Sequence, residues 1–300
     1  MQHRVIAGSS IIYPVISRRS RGLSIGINLF PNKKVCSFDC PYCEVFPPTG
    51  GKDFSLSQME MELQAMAREL VHGCTGSLQL FQDHHAGVQN TRQIDESRLA
   101  VQDLAFSGNG EPTMHPLFRE ALELAAHLRN DLFPQAKLVL ITNGNGLLDQ
   151  KLAETLAAAA RGEPPAFQGP QRNLEIWLKF DAGTEAWYRN INRSTIPFPR
   201  LWEAIAAFSQ EAPYIIQTMV CTIDGQEAPD EEINAWEHRI CELVTQTRHL
   251  GPQGVQLYSK ARPAPEDPRT EAVAPDVLKA RAERLLKALG SHRIPIDIFP

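Results

Sequence analysis

The stretch Leu23-Ser24-Ile25-Gly26-Ile27-Asn28-Leu29 is followed by Pro31-Asn32-Lys33-Lys34 and then by Cys36-Ser37-Phe38-Asp39-Cys40-Pro41-Tyr42-Cys43. A short apolar run gives way to a turn-rich bridge and then to three cysteines in C-x3-C-x2-C spacing. The run reads as a core strand, so the cysteines fall on the loop that leaves its C-terminal end. Three thiolates on one short loop can wrap one face of a metal centre. A structural zinc site needs a fourth Cys or His, whereas three protein ligands with an open position mark a reactive centre. Four thiolates usually hold an iron–sulfur cube, and three would leave one iron open. A redox pair, Cys40 with Cys43, would leave Cys36 unused. The other cysteines, Cys74, Cys221 and Cys241, are scattered.

Outward from this loop, apolar runs alternate with helical patterns. Strands are expected at Asp103–Ser107, Lys137–Ile141, Leu174–Phe180, Tyr214–Val220 and Gly254–Tyr258. Helices are expected at Ser57–His72 (with a Ser57/Glu60 capping box), Pro116–Leu128, Leu147–Ala160, Thr184–Gln210 (as one or two), Pro229–His249 and Pro275–Leu289. Residues 1–21 read as an irregular lead-in, and Ile294–Phe299 as an edge strand. About six strand–helix units predict an α/β fold, a partial (β/α)6 TIM-like barrel of parallel strands with outer helices. The whole chain, 1–300, reads as one domain, with a core of about 12–262 and a C-terminal helix and strand extension over 263–300. In such folds ligands bind at the C-terminal strand ends.

Those ends carry the polar residues. Gly108-Asn109-Gly110-Glu111-Pro112 follows the second strand, where glycines permit close backbone approach to a ligand. Taken alone, the segment is also an ordinary Gly-rich turn. Asn143 ends the third strand, Lys179 and Asp181 the fourth. Gln217 lies in the fifth strand, and Gln256 and Tyr258 in the sixth. The pair His84-His85 sits in a polar stretch, 74–98, and reads as solvent-exposed.

The 300 residues are 43% hydrophobic and 22% charged, ordinary for a globular chain, with net charge −5. That balance disfavours a broad nucleic-acid surface. No apolar run approaches a membrane span, and residues 1–10 lack a secretory h-region, so a cytoplasmic protein with no membrane partner is expected. The basic cluster Arg18-Arg19-Ser20-Arg21 reads either as a solvated loop or as an anion contact beside the cysteines.

The cysteine triplet with Tyr42 before its last member, together with Gly108–Glu111, resembles the radical S-adenosylmethionine (SAM) superfamily. Tyr13-Pro14-Val15, Ser17-Arg18-Arg19, Gly26-Ile27-Asn28-Leu29, Phe106–Thr113, Thr142-Asn143-Gly144 and Lys179–Gly183 are similar to the group related to the tRNA wyosine-synthesis (4-demethylwyosine synthase-like) enzymes. The resemblance spans about Ile12 to Arg262.

It implies one 4Fe-4S cluster on Cys36, Cys40 and Cys43, and SAM on the fourth iron. One-electron cleavage would then give a 5'-deoxyadenosyl radical that abstracts a substrate hydrogen. SAM contacts are implied for Tyr42, Gly108, Asn109, Gly110, Glu111, Asn143, Lys179, Asp181, Gln217 and Tyr258. A flavodoxin- or ferredoxin-like electron donor is implied as partner. RNA, a peptide or protein, and a small molecule all stand as substrate classes. Wyosine enzymes carry a second cluster on cysteines N-terminal to this triplet; here no cysteine precedes Cys36, so one cluster is expected. Two other classes compete: a non-catalytic iron–sulfur electron carrier, which gives Glu111, Asn143 and Lys179 no role, and a zinc-containing RNA-binding protein that uses Arg18, Arg19 and Arg21.

Overall fold

The computed structural model describes residues 11–45, 53–72, 100–247 and 250–300. The whole 74–98 stretch, with Cys74 and the His84-His85 pair, lies outside them. The core is one eight-stranded sheet. Its strands in chain order are β1 (Ile12–Ser17), β2 (Gly22–Ile27), β3 (Val101–Phe106), β4 (Lys137–Thr142), β5 (Leu174–Lys179), β6 (Pro213–Met219), β8 (Gly251–Tyr258) and β10 (Ile296–Phe299), and they neighbour one another in that order. β1 and β2 are antiparallel, and every other pair is parallel. A two-stranded ribbon, β7 (Cys221–Ile223) with β9 (Thr270–Ala272), lies beside the sheet. The helices are α1 (Leu56–His72), α2 (Phe118–Leu132), α3 (Gln150–Arg161), α4 (Glu185–Ile191), α5 (Phe198–Ser209), α6 (Asp230–Gln246) and α7 (Pro275–Leu289). None among the described residues is long and apolar enough to cross a membrane.

The strands read as near-continuous apolar runs because one face packs on the helices and the other forms the apolar wall of the barrel interior. Leu104, Phe106, Leu138, Leu140, Ile176 and Leu178 join the large core shared with the helices. Their alternates Ala105, Val139 and Trp177, with Ile141 and Ile215, form a separate apolar patch on the opposite face. The sheet curls into a half-barrel. Its two ends approach each other: Arg21, in the β1–β2 turn, pairs with Asp297 of β10 at 2.9 Å. Residues 18–21 thus span the open side.

Two expectations are corrected. Residues 12–17 are a strand, not an irregular lead-in. Pro14 is tolerated because β1 is an edge strand with a free side for a residue that has no N–H. The first helix starts at Leu56 and is capped by Ser55, whose Oγ accepts the Gln58 N–H at 3.2 Å. Ser57 is therefore inside the helix rather than at its cap.

Candidate functional site

The cysteine loop is held against three other segments. Val35 pairs with the glycine segment: its N–H donates to Asn109 O (3.1 Å), and its carbonyl accepts the Glu111 N–H (2.8 Å). Ser37 O accepts from Thr195 N–H and Ser194 Oγ, each at 3.1 Å, and Asp39 N–H donates to Asn192 O at 2.9 Å. Pro41 O accepts from Thr270 Oγ1 at 3.1 Å. Phe38 packs edge-on against Tyr188. The sulfurs receive donors as well. Phe38 N–H (3.4 Å) and Asn143 Nδ2 (3.5 Å) point at Cys36 Sγ, and Asn192 Nδ2 (3.7 Å) at Cys40 Sγ. Burial pushes the Cys36 thiol up to about 11 and the Cys40 thiol up to about 12. Among the described residues no three His, Cys, Asp or Glu side chains converge as a single-ion site.

The glycine segment is shaped by close approach. At Gly110 (φ 153°) a Cβ would stand 2.0 Å from Val35 O, and at Gly108 (φ 122°) 2.6 Å from Asn28 Oδ1. Only glycine meets both demands. Glu111 is buried and braced. Its Oε1 accepts from Thr113 N–H (3.2 Å), Thr113 Oγ1 (2.5 Å) and Thr142 Oγ1 (2.7 Å), and its Oε2 from Asn143 N–H (2.7 Å). Burial raises its pKa, and these donors oppose the rise. Asn143 also donates to Ser37 Oγ at 3.1 Å. Glu111 thereby ties the ends of β3 and β4 to each other, and Asn143 ties β4 to the cysteine loop.

On the opposite wall Lys179 Nζ donates to Tyr258 Oη at 2.5 Å, lies 3.7 Å from Asp181, and sits over the Tyr42 and Tyr258 rings. Burial works against its charge, but Asp181, Tyr258 and Cys40 hold its pKa above the ordinary lysine value. Asp181 accepts from Tyr42 Oη, Asn192 Nδ2 (2.8 Å) and Met219 N–H (2.8 Å). Burial, then Asp181, pushes the Tyr42 phenol well up. Gln217 Nε2 donates to Gln256 Oε1 at 2.7 Å.

A cavity of about 360 Å³ opens between these walls. Cys36, Cys40, Cys43, Tyr42, Gly108, Gly110, Glu111, Asn143, Lys179, Gln217 and Tyr258 all line it. Asn109 and Asp181 stand behind the lining: Asn109 Nδ2 bonds Phe30 O at 3.0 Å, and Asp181 braces Tyr42 and Lys179. Gln256 is buried beneath Gln217.

The sequence reading assigns no site role to Tyr13, Ser107 or Trp177, which also line the cavity. Tyr13 Oη and Ser107 Oγ are 2.7 Å apart, and Gly26 lies under the Tyr13 ring. Gly26 was a usable signal, since a glycine inside a strand marks a close neighbour.

No protein-family model matches the chain. Over 143 residues, 48% of this chain, it is 28% identical to the "UPF0026 protein" of two Helicobacter pylori strains, 26695 and J99, and the match spans 37% of each relative. Three solved structures share the fold at low identity. A radical SAM methyltransferase from Sphaerobacter thermophilus superposes with TM-score 0.56 at 15% identity, covering 99% of this chain and 71% of that one. Streptococcus suis SuiB bound to S-adenosylmethionine gives 0.55 at 11%, covering 94% and 52%. The third, anSMEcpe with bound AdoMet, gives 0.52 at 16%, covering 90% and 63%. The chain has the half-barrel fold of radical SAM enzymes.

Proposed function

We propose that the protein is a radical SAM enzyme, with Cys36, Cys40 and Cys43 holding one 4Fe-4S cluster at the mouth of the cavity. The observation that carries this reading is the gathering of all three cysteines, Gly108, Gly110 and Glu111 around one cavity of a half-barrel. The donor set fits. Three thiols come from one loop, no fourth thiol lines the cavity among the described residues, and backbone and amide donors point at two of the sulfurs.

When bound, such a cluster supplies one electron to cleave SAM into methionine and a 5'-deoxyadenosyl radical. The chain's own part is positioning. Glu111 Oε2 keeps one acceptor site beyond its bond to Asn143, the one suited to a methionine ammonium. Lys179 is fixed by Asp181, Tyr258 and Tyr42 as a cation for a carboxylate beside the cysteine loop. Asn109 and Asp181 act from behind, as braces. Within the superfamily, the Tyr13–Arg19, Thr142–Gly144 and Lys179–Gly183 motifs favour the group related to the wyosine-synthesis enzymes. A flavodoxin- or ferredoxin-like donor would deliver the electron.

Anaerobic reconstitution with iron, sulfide, dithionite and SAM tests this reading. The expected result is about four irons per chain and formation of 5'-deoxyadenosine. Replacing any one of the three cysteines with Ala is expected to remove the cluster absorbance and the iron. Full iron content in those variants would overturn the assignment, as would zinc in place of iron in protein purified anaerobically.

A further inference from the structure

The cavity has a second cationic feature besides Lys179. Arg19 reaches inward from the β1–β2 turn. Its guanidinium lies 5.5 Å from the Trp177 ring centroid and 5.0 Å from that of Tyr258, and its Nη1 donates to Gln217 Oε1 at 3.1 Å. Two rings and one amide thus hold the group in place. Among the described residues Arg19 has no carboxylate partner. Its guanidinium carries five N–H donors, of which the described residues use one.

The neighbouring charges do not neutralise it. Arg18 and Arg262 line the same cavity, and the carboxylate of that wall, Glu44, is 3.7 Å from Arg262. Arg18 spends one donor on Ser259 O at 3.4 Å, and Glu44, paired with Arg262, acts on it only at longer range. In a chain of net charge −5, this wall holds three guanidinium groups against one carboxylate.

Arg19 borders the proposed SAM seat: it shares the Tyr258 ring with Lys179 and bonds Gln217, the register partner of Lys179, but it also reaches Trp177. Lys179 touches Tyr42 of the cysteine loop. Trp177 precedes Lys179 by two residues on β5, so it shares that face of the sheet about 7 Å further from the cysteine-bearing strand end. Arg19 bridges the Trp177 and Tyr258 rings, one on either side of the Lys179 level along the strands.

We infer that Arg19 is an oxyanion receptor, and that the substrate is a small molecule whose carboxylate or phosphate docks on it inside the cavity. The word substrate rests on the radical SAM reading; the receptor itself does not. A planar, pre-oriented guanidinium binds both kinds of oxyanion through paired N–H donors.

Calorimetry on the cluster-loaded full chain tests this. The probes are phenyl phosphate, benzoate and, as a neutral counterpart, benzyl alcohol; SAM binding is measured separately. At least one anion is expected to bind and the alcohol not to, and the stronger anion names the oxyanion class. Arg19→Gln is expected to weaken anion binding about 10- to 100-fold, by more than it weakens SAM binding. Arg19→Lys should recover part of the loss. The inference is overturned by equal binding of anion and alcohol, by no anion binding, by an Arg19→Gln protein that binds anions as wild type does, or by a loss shared equally with SAM. It is also overturned if only RNA, and neither small anion, responds to Arg19→Gln. Should Arg19→Gln not fold, the anion-versus-alcohol comparison in the wild type and the Arg19→Lys variant still decide. A chain that binds the anions but not SAM would defeat the radical SAM reading and leave the receptor standing.

Discussion

The two cationic groups of the cavity are built differently. Lys179 sits in a neutralised network that leaves it one ammonium donor: Asp181 pairs with it, Tyr258 accepts from it, and Asp181 is in turn saturated by Tyr42, Asn192 and Met219. Arg19 is gripped by two rings and one amide but has no counter-charge among the described residues. The first arrangement fixes a wall together. The second fixes a cation and leaves its donors available. A buried charge with its partner is expensive to disturb, whereas a half-exposed charge held by stacking is not.

This difference predicts unequal stability effects. Asp181→Ala strands Lys179 inside the wall and unseats Tyr42, and should cost about 3–5 kcal/mol in chemical denaturation. A cost below about 1 kcal/mol would show that the network is not what holds that wall. Gly110→Ala sets a methyl against the Val35 carbonyl at 2.0 Å in a backbone conformation that L residues avoid. It should cost about 2–4 kcal/mol and loosen the cysteine loop, read as faster amide exchange at Val35 and Glu111. Arg19→Met, by contrast, removes two ring contacts and one hydrogen bond. It should cost only about 1–2 kcal/mol, and an effect as large as that of Asp181→Ala would erase the distinction between the walls.

The smallest effect concerns the clasp behind the cysteine loop. Asp267 pairs with Arg193 at 2.7 Å and with Arg269 at 3.1 Å. Hydrogen bonds from Arg269, then from Arg193, hold its carboxyl well below the ordinary aspartate range. The native state therefore binds fewer protons there than the unfolded chain does. The stabilisation is present above about pH 4 and fades as pH falls further. Asp267→Asn should lower stability at pH 7 by no more than about 1 kcal/mol and flatten the acid limb of the stability profile. An unchanged acid limb would remove the clasp from the account.

Much of this was legible in the sequence. The parallel strands and long helices follow from apolar runs and helical spacing, and the C-x3-C-x2-C triplet placed the cysteines at a strand end. Other features depend on contacts between distant segments. β1 was hidden by Pro14, which edge strands accept, and the β7–β9 ribbon by its three-residue strands about fifty positions apart. The side chains of Asn109 and Asp181 bond protein groups behind the cavity lining, a placement that residue type and position cannot reveal. The Arg18–Arg21 cluster mixed three fates that only the curl of the sheet separates: Arg21 pairs with Asp297, Arg18 caps Ser259 O, and Arg19 enters the cavity.

The most direct test of the central claim is the electron paramagnetic resonance spectrum of the reduced, reconstituted protein with and without SAM. An open iron beside Cys36, Cys40 and Cys43 predicts a 4Fe-4S signal whose shape changes when SAM is added, and its loss in Cys40→Ala. A cluster signal that SAM leaves unchanged would contradict the account and return the protein to the electron-carrier class.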